Sequence, residues 1–229
     1  CPKLFIKSLR GQHFANWFTY YRSRILAARA GTSDAFASVP EGFRIGFKTL
    51  SSDSGKTLKI PLPDDPADIE QGTFFGDNKK NWFKKLFEVP MNNSTPLRNA
   101  LKWVGEEYSS TSSTGPWGPG SGNSQISCRQ SFAILTTDGY YNGPSPDVGN
   151  IDNSIGPLHE HPSGDPKKNE QYEPEEPYKD SYSNTLADVA LKYWMNDLRD
   201  NLDNNVPVAR DSGNPAFWQH MVTHGVSIG

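Results

Sequence analysis

Two residues stand where a hard cation could be held. The run from Ser131 to Thr137 is nearly continuous apolar, as expected of a strand covered on both faces, and it ends in Thr137-Asp138-Gly139. That ending places the Asp138 carboxylate at the carboxyl end of a strand, where open α/β sheets gather their ligands. Upstream, Ser94-Thr95-Pro96-Leu97 opens a helix, so the Thr95 hydroxyl sits at a helix N-terminus and can be directed at the same edge. One carboxylate, hydroxyl oxygens and waters form the oxygen set that suits Mg²⁺. A Thr at a helix start also serves as a plain cap, and Asp-Gly after a strand also forms a turn, so neither residue decides the matter alone.

Other constellations are weaker. Ser54-Gly55-Lys56-Thr57 after a strand has the ending of a phosphate-binding loop, but the required Gly is Leu50, and residues 57–62 alternate like a strand instead of opening a helix. His220 and His224 have the i, i+4 spacing of zinc ligands, with His159 and His161 as further candidates. They fall at and within a strand pattern, where i and i+4 lie about 13 Å apart. There is no G-x-S-x-G, and Cys128 beside Arg129 precedes a strand. Glu173, Glu175 and Glu176 lie in a Pro-rich loop, where a glycosidase pair is conceivable and solvated loop charge is the simpler reading.

The elements that must position these residues are legible from periodicity. Phe14, Trp17, Phe18, Tyr21, Ile25, Ala28, Ala35 and Phe36 recur at three- and four-residue steps, predicting one helical face from Phe14 to Ala37. Phe43, Ile45, Phe47 and Thr49 alternate with polar residues, and 57–62 alternates again, predicting a hairpin across 51–56. Lys79 to Val89 reads as a short amphipathic helix with Trp82, Phe83, Leu86 and Phe87 packed and a solvated lysine face. The helix opened by Thr95 runs to about Tyr108, with Leu97, Leu101, Val104 and Tyr108 inward, and 109–123 is loop. Residues 140–183 hold seven prolines and no period, a long excursion of the kind tied to function or disorder. Thr185-Leu186-Ala187-Asp188 is a capping box for a helix to Arg199, and Met221 to Ile228 reads as a second buried strand. The order predicts an α/β fold with a largely parallel sheet flanked by helices.

Composition bounds the function. The 229 residues suffice for a core, and an aromatic content of 12% argues against disorder although mean hydropathy is -0.68. No apolar run approaches the roughly 18 residues of a membrane helix. With 23 Lys and Arg against 26 Asp and Glu, spread along the chain, the clustered positive charge of a nucleic-acid footprint is missing. The sequence begins at Cys1 without Met, which suits a mature or excised piece of something longer, or a lipidated terminus.

The segments 43–47 (Phe-Arg-Ile-Gly-Phe), 94–101 (Ser-Thr-Pro-Leu-Arg-Asn-Ala-Leu) and 134–139 (Ile-Leu-Thr-Thr-Asp-Gly) resemble the second strand, Thr-bearing loop and Asp-bearing strand end of von Willebrand factor A domains. Residues 14–24, 184–190 and 217–223 resemble the PilY family, the large type IV pilus biogenesis factors and tip adhesins of bacteria. The resemblance extends across nearly the whole chain. It implies a single, partial A-like domain over 1–229 with a loop insertion at 140–183, on a Rossmann-like A-type fold whose first strand is missing from this sequence. It further implies a non-enzymatic adhesion and pilus-assembly module, exported through the periplasm to the pilus tip or outer membrane, active in twitching motility. Its partners would be minor pilins or other tip subunits and a host or abiotic surface ligand, with no nucleic acid and no membrane span. The alternative is a secreted or periplasmic hydrolase using carboxylates of the 140–183 loop.

The metal-ion-dependent adhesion site of an A domain opens with DxSxS, and no such triplet occurs here. Asp53-Ser54-Gly55-Lys56-Thr57 and Asp152-Asn153-Ser154-Ile155-Gly156 both carry Gly at a required Ser. The expectation is that the DxSxS strand lies upstream of Cys1. Thr95 and Asp138 then match the second and third parts of a site for a divalent cation, Mg²⁺ or Ca²⁺, in the intact domain, and none is expected to bind this chain alone. An extracellular protein meets an oxidising compartment, so a Cys1 to Cys128 bridge is expected, against two free thiols or pairing of Cys1 upstream.

Overall fold

The computed structural model describes residues 2–51, 57–61, 72–89, 94–208 and 213–227. In chain order the elements are α1 (Pro2–Tyr21), α2 (Arg24–Ala37), α3 (Gly76–Glu88), α4 (Leu97–Tyr108), β1 (Ser131–Thr137), α5 (Leu186–Met195) and β2 (Met221–Ser227). The two strands pair in parallel, from Ser131 opposite Met221 to Thr137 opposite Ser227. Mixed α/β architecture is therefore present, with a parallel sheet of two strands among the described residues.

The sheet packs on α4 and α5 through Leu101, Tyr108, Ala133, Val189, Tyr193 and Met221. Gly105 permits the closest part of this packing, since a Cβ there would lie 2.3 Å from the Tyr193 ring. Burial pushes the Tyr108 phenol up to about 12, and its hydroxyl donates to the Phe132 carbonyl at 3.0 Å. Both helices lie against one face of the sheet. The expectation that β1 is covered on both faces is therefore corrected: burial alternates along it, and Phe132 and Ile134 are exposed. The second strand is corrected in the same way, since β2 is buried at Met221 and opens to solvent from His224 onward.

A second, aromatic cluster joins α2, α3 and the segment between them. Trp82 stacks on Phe36 at 4.4 Å, meets Phe47 and Phe74 edge-on, and donates its indole N–H to the Gly46 carbonyl. The expected hairpin reduces to one antiparallel bridge between Phe47 and Leu58, with both backbone bonds at 2.7 Å. Its turn, including Asp53 to Lys56 of the phosphate-loop reading, lies outside the described residues.

The long first helix is two helices. Arg22 and Ser23 break it, and Ser23 restarts it in extended backbone with its hydroxyl accepting the Leu26 N–H. Along α1, Phe14, Trp17, Phe18 and Tyr21 are exposed rather than packed inward; Phe14 touches Trp17 and Phe18, and the Arg22 guanidinium lies over the Phe18 ring. On α3, Phe87 likewise faces solvent, while Trp82 and Leu86 are buried as expected. At α5 the capping box forms, but the helix stops at Met195, and Leu198 to Asn201 turn away to bury Arg199.

Candidate functional site

At the carboxyl end of β1 the chain passes through Asp138 and turns at Gly139, whose φ of 106° suits glycine and whose backbone N–H bonds the Thr137 hydroxyl. Ser227, at the matching end of β2, lies on the same edge: a Cβ on Gly139 would be 3.8 Å from its hydroxyl. Four residues beyond Asp138, Asn142 clasps the loop before α4. Its Oδ1 accepts the Thr95 N–H at 2.9 Å, and its own N–H bonds the Thr95 carbonyl at 3.0 Å. Arg98 and Asn99, in the first turn of α4, tighten the same seam by donating to the Gly143 and Pro144 carbonyls. The Thr95 loop and the Asp138 loop thus form one edge, and the two sequence-predicted residues are brought to it.

Thr95 is not a cap. Pro96 occupies the N-cap position of α4 and no side chain caps the helix, so the hydroxyl is released from that role. Asp138 is exposed and engaged by a guanidinium: Arg24 Nη1, at the start of α2, lies 2.7 Å from its Oδ2. A threonine hydroxyl and a carboxylate fit a hard divalent ion in chemistry, and a cation bound at the Asp138 carboxylate would have to displace Arg24. These are two ligands of a larger set, and among the described residues no group of three or more His, Cys, Asp or Glu is arranged to hold a metal. Cys128 is exposed, and Cys1 lies outside the described residues, so their expected bridge does too.

His159, His161 and His220 are packing groups, while His224 stands apart on β2, in keeping with the sequence reading that set zinc aside. His159 stacks on Trp218 at 3.7 Å and donates from Nε2 to the Met195 carbonyl. His220 is buried, with Nδ1 donating to the Trp218 carbonyl and Nε2 accepting from Asn214. His161 packs edge-on against Phe217, and His224 is exposed on β2 beside the Phe132 ring. Each of the three that surround residues 217–220 spends at least one ring nitrogen on a hydrogen bond inside the protein, and His220 spends both.

The 140–183 excursion is built around α5. Asp188, fully buried, accepts the N–H groups of Ile151, Asp152 and Thr185 and the Thr185 hydroxyl. Asn184 Oδ1 accepts those of Val148 and Gly149. Burial raises the Asp152 carboxyl above its ordinary value, the Asp180 N–H opposes that, and the Asp188 and Asp180 charges add to it. Asp197 is raised as well, mainly by burial. Of the loop carboxylates singled out in sequence, Glu173 and Glu175 line a cavity with Trp194 and Trp218, and Glu176 pairs with Lys179. The cavity was not legible in sequence, because its aromatic half comes from α5 and the segment before β2. Trp194 near the end of the α5 helix and Trp218 just before β2, both polar-tipped rings, were the available signal.

The fold and this edge define a mixed α/β segment with an oxygen-bearing strand end and a long, pinned loop. No family model matches the chain, and no solved structure matches it. Among curated proteins it is 36% identical over 235 residues to the type IV pilus biogenesis factor PilY1 of Pseudomonas aeruginosa strain PAK, covering 95% of this chain and 19% of that protein. The PilY1 of strain PAO1 is 33% identical over 252 residues, covering 98% and 20%, and that of strain UCBPP-PA14 is 34% identical over 233 residues, covering 95% and 19%. The chain belongs to the PilY family, and it spans about a fifth of the length of the curated relatives it matches.

Proposed function

We propose that this segment serves type IV pilus biogenesis as a non-enzymatic adhesion and assembly module of a tip-associated protein. In this reading it follows the von Willebrand factor A pattern, and Thr95 and Asp138 are ligands of a divalent cation completed by residues outside this sequence. Similarity to type IV pilus biogenesis factors supports the pilus role, and those relatives are named for biogenesis rather than for an enzymatic activity. The parallel pairing of β1 and β2, with α4 and α5 on one face, is consistent with the A pattern. The observation that carries the cation reading is the Asn142 clasp, which holds the Thr95 loop against the segment leaving Asp138. Partners would be pilin-like tip subunits and a surface ligand met outside the cell. No helix among the described residues is long and apolar enough to cross a membrane.

The test is calorimetric titration of Mg²⁺ and Ca²⁺ into the full-length protein and its variants. Asp138→Ala removes the charged ligand and should weaken binding at least about tenfold, with a parallel loss of cation-dependent surface attachment. Arg24→Ala removes the competing guanidinium and should strengthen binding, while costing no more than about 1 kcal/mol of stability because the pair is solvent-exposed. Equal cation affinity in the parent and Asp138→Ala proteins overturns the ligand assignment.

A further inference from the structure

The amino end of the sheet, opposite Asp138, carries a cavity of about 300 Å³ open on one side. Its floor is Trp194, Trp218 and Pro215, and its rim is Glu170, Glu173 and Glu175. The rings are fixed before any ligand arrives. Trp218 is backed by the His159 imidazole, nearly parallel at 7°, and donates its indole N–H to the Trp194 carbonyl at 2.9 Å. Trp194 donates to Asn214 Oδ1 at 3.0 Å and meets Trp218 edge-on. On the other wall, Tyr172 is anchored by its hydroxyl to the Asp152 carbonyl, and the Glu170 backbone pairs with His159 in an antiparallel bridge. Their N–H groups are satisfied internally; Trp218, 2% exposed, backs the cavity, and the half-buried Trp194 is the more open of the two rings that line it.

The rim is charged in one sense. No Lys, Arg or His is among the described residues lining the cavity, and no ion pair among the described residues engages Glu170, Glu173 or Glu175. An electron-rich aromatic floor beneath unpaired carboxylates attracts an organic cation twice over, through the ring quadrupole and through charge-assisted hydrogen bonds. The volume is at the lower end of ligand sites, so it suits one side chain rather than a bulky cofactor, and the open mouth leaves room for the backbone that presents it.

We propose that this cavity seats an arginine or lysine side chain of a partner polypeptide, its stem against Trp194 and its cationic head between the Glu173 and Glu175 carboxylates. The site is independent of the cation edge at Asp138: neither Thr95 nor Asp138 lines it, and either can fail without the other.

The probe is a Gly-Arg-Gly peptide carrying fluorescein on its N-terminal amine and amidated at its C-terminus, titrated with the intact protein and followed by fluorescence anisotropy. Saturable binding should weaken at least about tenfold when citrulline replaces arginine, and again in the Glu173→Gln/Glu175→Gln double variant. Both glutamates are exposed, so circular dichroism should show that variant folded. Trp194→Leu should weaken binding while leaving the charge in place. No saturable binding, equal binding of the citrulline peptide, or affinity unchanged in the glutamine variant each overturns the proposal. Binding of spermidine without binding of the peptide overturns the polypeptide source and assigns the cavity to a free polyamine.

Discussion

His220 shows how a residue can look like a ligand and act as a sensor of packing. Its imidazole is buried, and desolvation, with the nearby His159, holds its pKa below the usual 6.5, while the bond to the Trp218 carbonyl opposes the shift. Proton counting sets the sign. The unfolded chain binds a proton at about pH 6.5 that the native state still refuses, so stability is full above that value and falls as pH drops through it toward the native pKa. Asp152 and Asp197 run the other way at lower pH: with native pKa values raised, they relieve the native state once protonated. The urea midpoint should therefore decline between about pH 7 and about pH 5, and His220→Gln should flatten that decline. A midpoint that is level over that range in the parent protein would show that His220 charges without cost. Sequence reached this residue by spacing alone, and spacing says nothing about which carbonyl a ring nitrogen finds.

Elements with a strong period were legible, and those defined by a missing neighbour were not. The capping box at Thr185 and Asp188 appears as read, because an N-cap hydroxyl and a carboxylate three residues on satisfy each other's backbone donors locally. Its second duty was invisible: the same carboxylate gathers the Ile151 and Asp152 N–H groups, at 2.7 and 3.4 Å, from an excursion with no period of its own. Asp188→Ala should accordingly cost about 2 to 4 kcal/mol, more than a cap alone, because buried donors are left unpaired. Limited proteolysis should then cut within 140–183, and a variant whose loop resists cleavage as the parent does would place the anchor elsewhere, at Asn184. Burial of β1 on both faces was a reasonable inference from a continuous apolar run, yet Ile134 is 57% exposed. An apolar run reflects what a residue can tolerate, and the identity of the covering layer is not written in the run itself.

Across the molecule, irregular backbone is organised by buried polar side chains rather than by a larger hydrophobic core. Arg199, 1% exposed, donates to the Ser110 carbonyl at 3.0 Å, to Gln125 Oε1 at 2.5 Å and to Asn201 Oδ1 at 3.2 Å. Gln219, also buried, bridges the Ser127 and Asp203 carbonyls, both at 2.8 Å. Between them they tie together the loop after α4, the turns after α5 and the segment entering β2, which holds Trp218 of the cavity. Arg44 and Arg129 converge on the Pro116 carbonyl in the same loop, and burial followed by the Arg44 charge pushes Arg129 down to about 10, still cationic at neutral pH. None of these tethers has a period, and a single Arg or Gln in coil carries no mark of burial, so sequence could not reveal them. Burial lowers the Arg199 pKa while Asp197 and Asp200 oppose the shift, so the cost of burying this charge is offset only while its acceptors stay in reach. Arg199→Ala strands the Ser110 carbonyl and the Gln125 amide oxygen, and should lower unfolding free energy by about 3 to 5 kcal/mol. Arg199→Lys keeps the charge but not the fork, and should recover less than half of that loss. Urea unfolding followed by tryptophan fluorescence measures both; a lysine variant as stable as the parent would show that charge alone, and not the geometry joining three segments, holds this end of the molecule together.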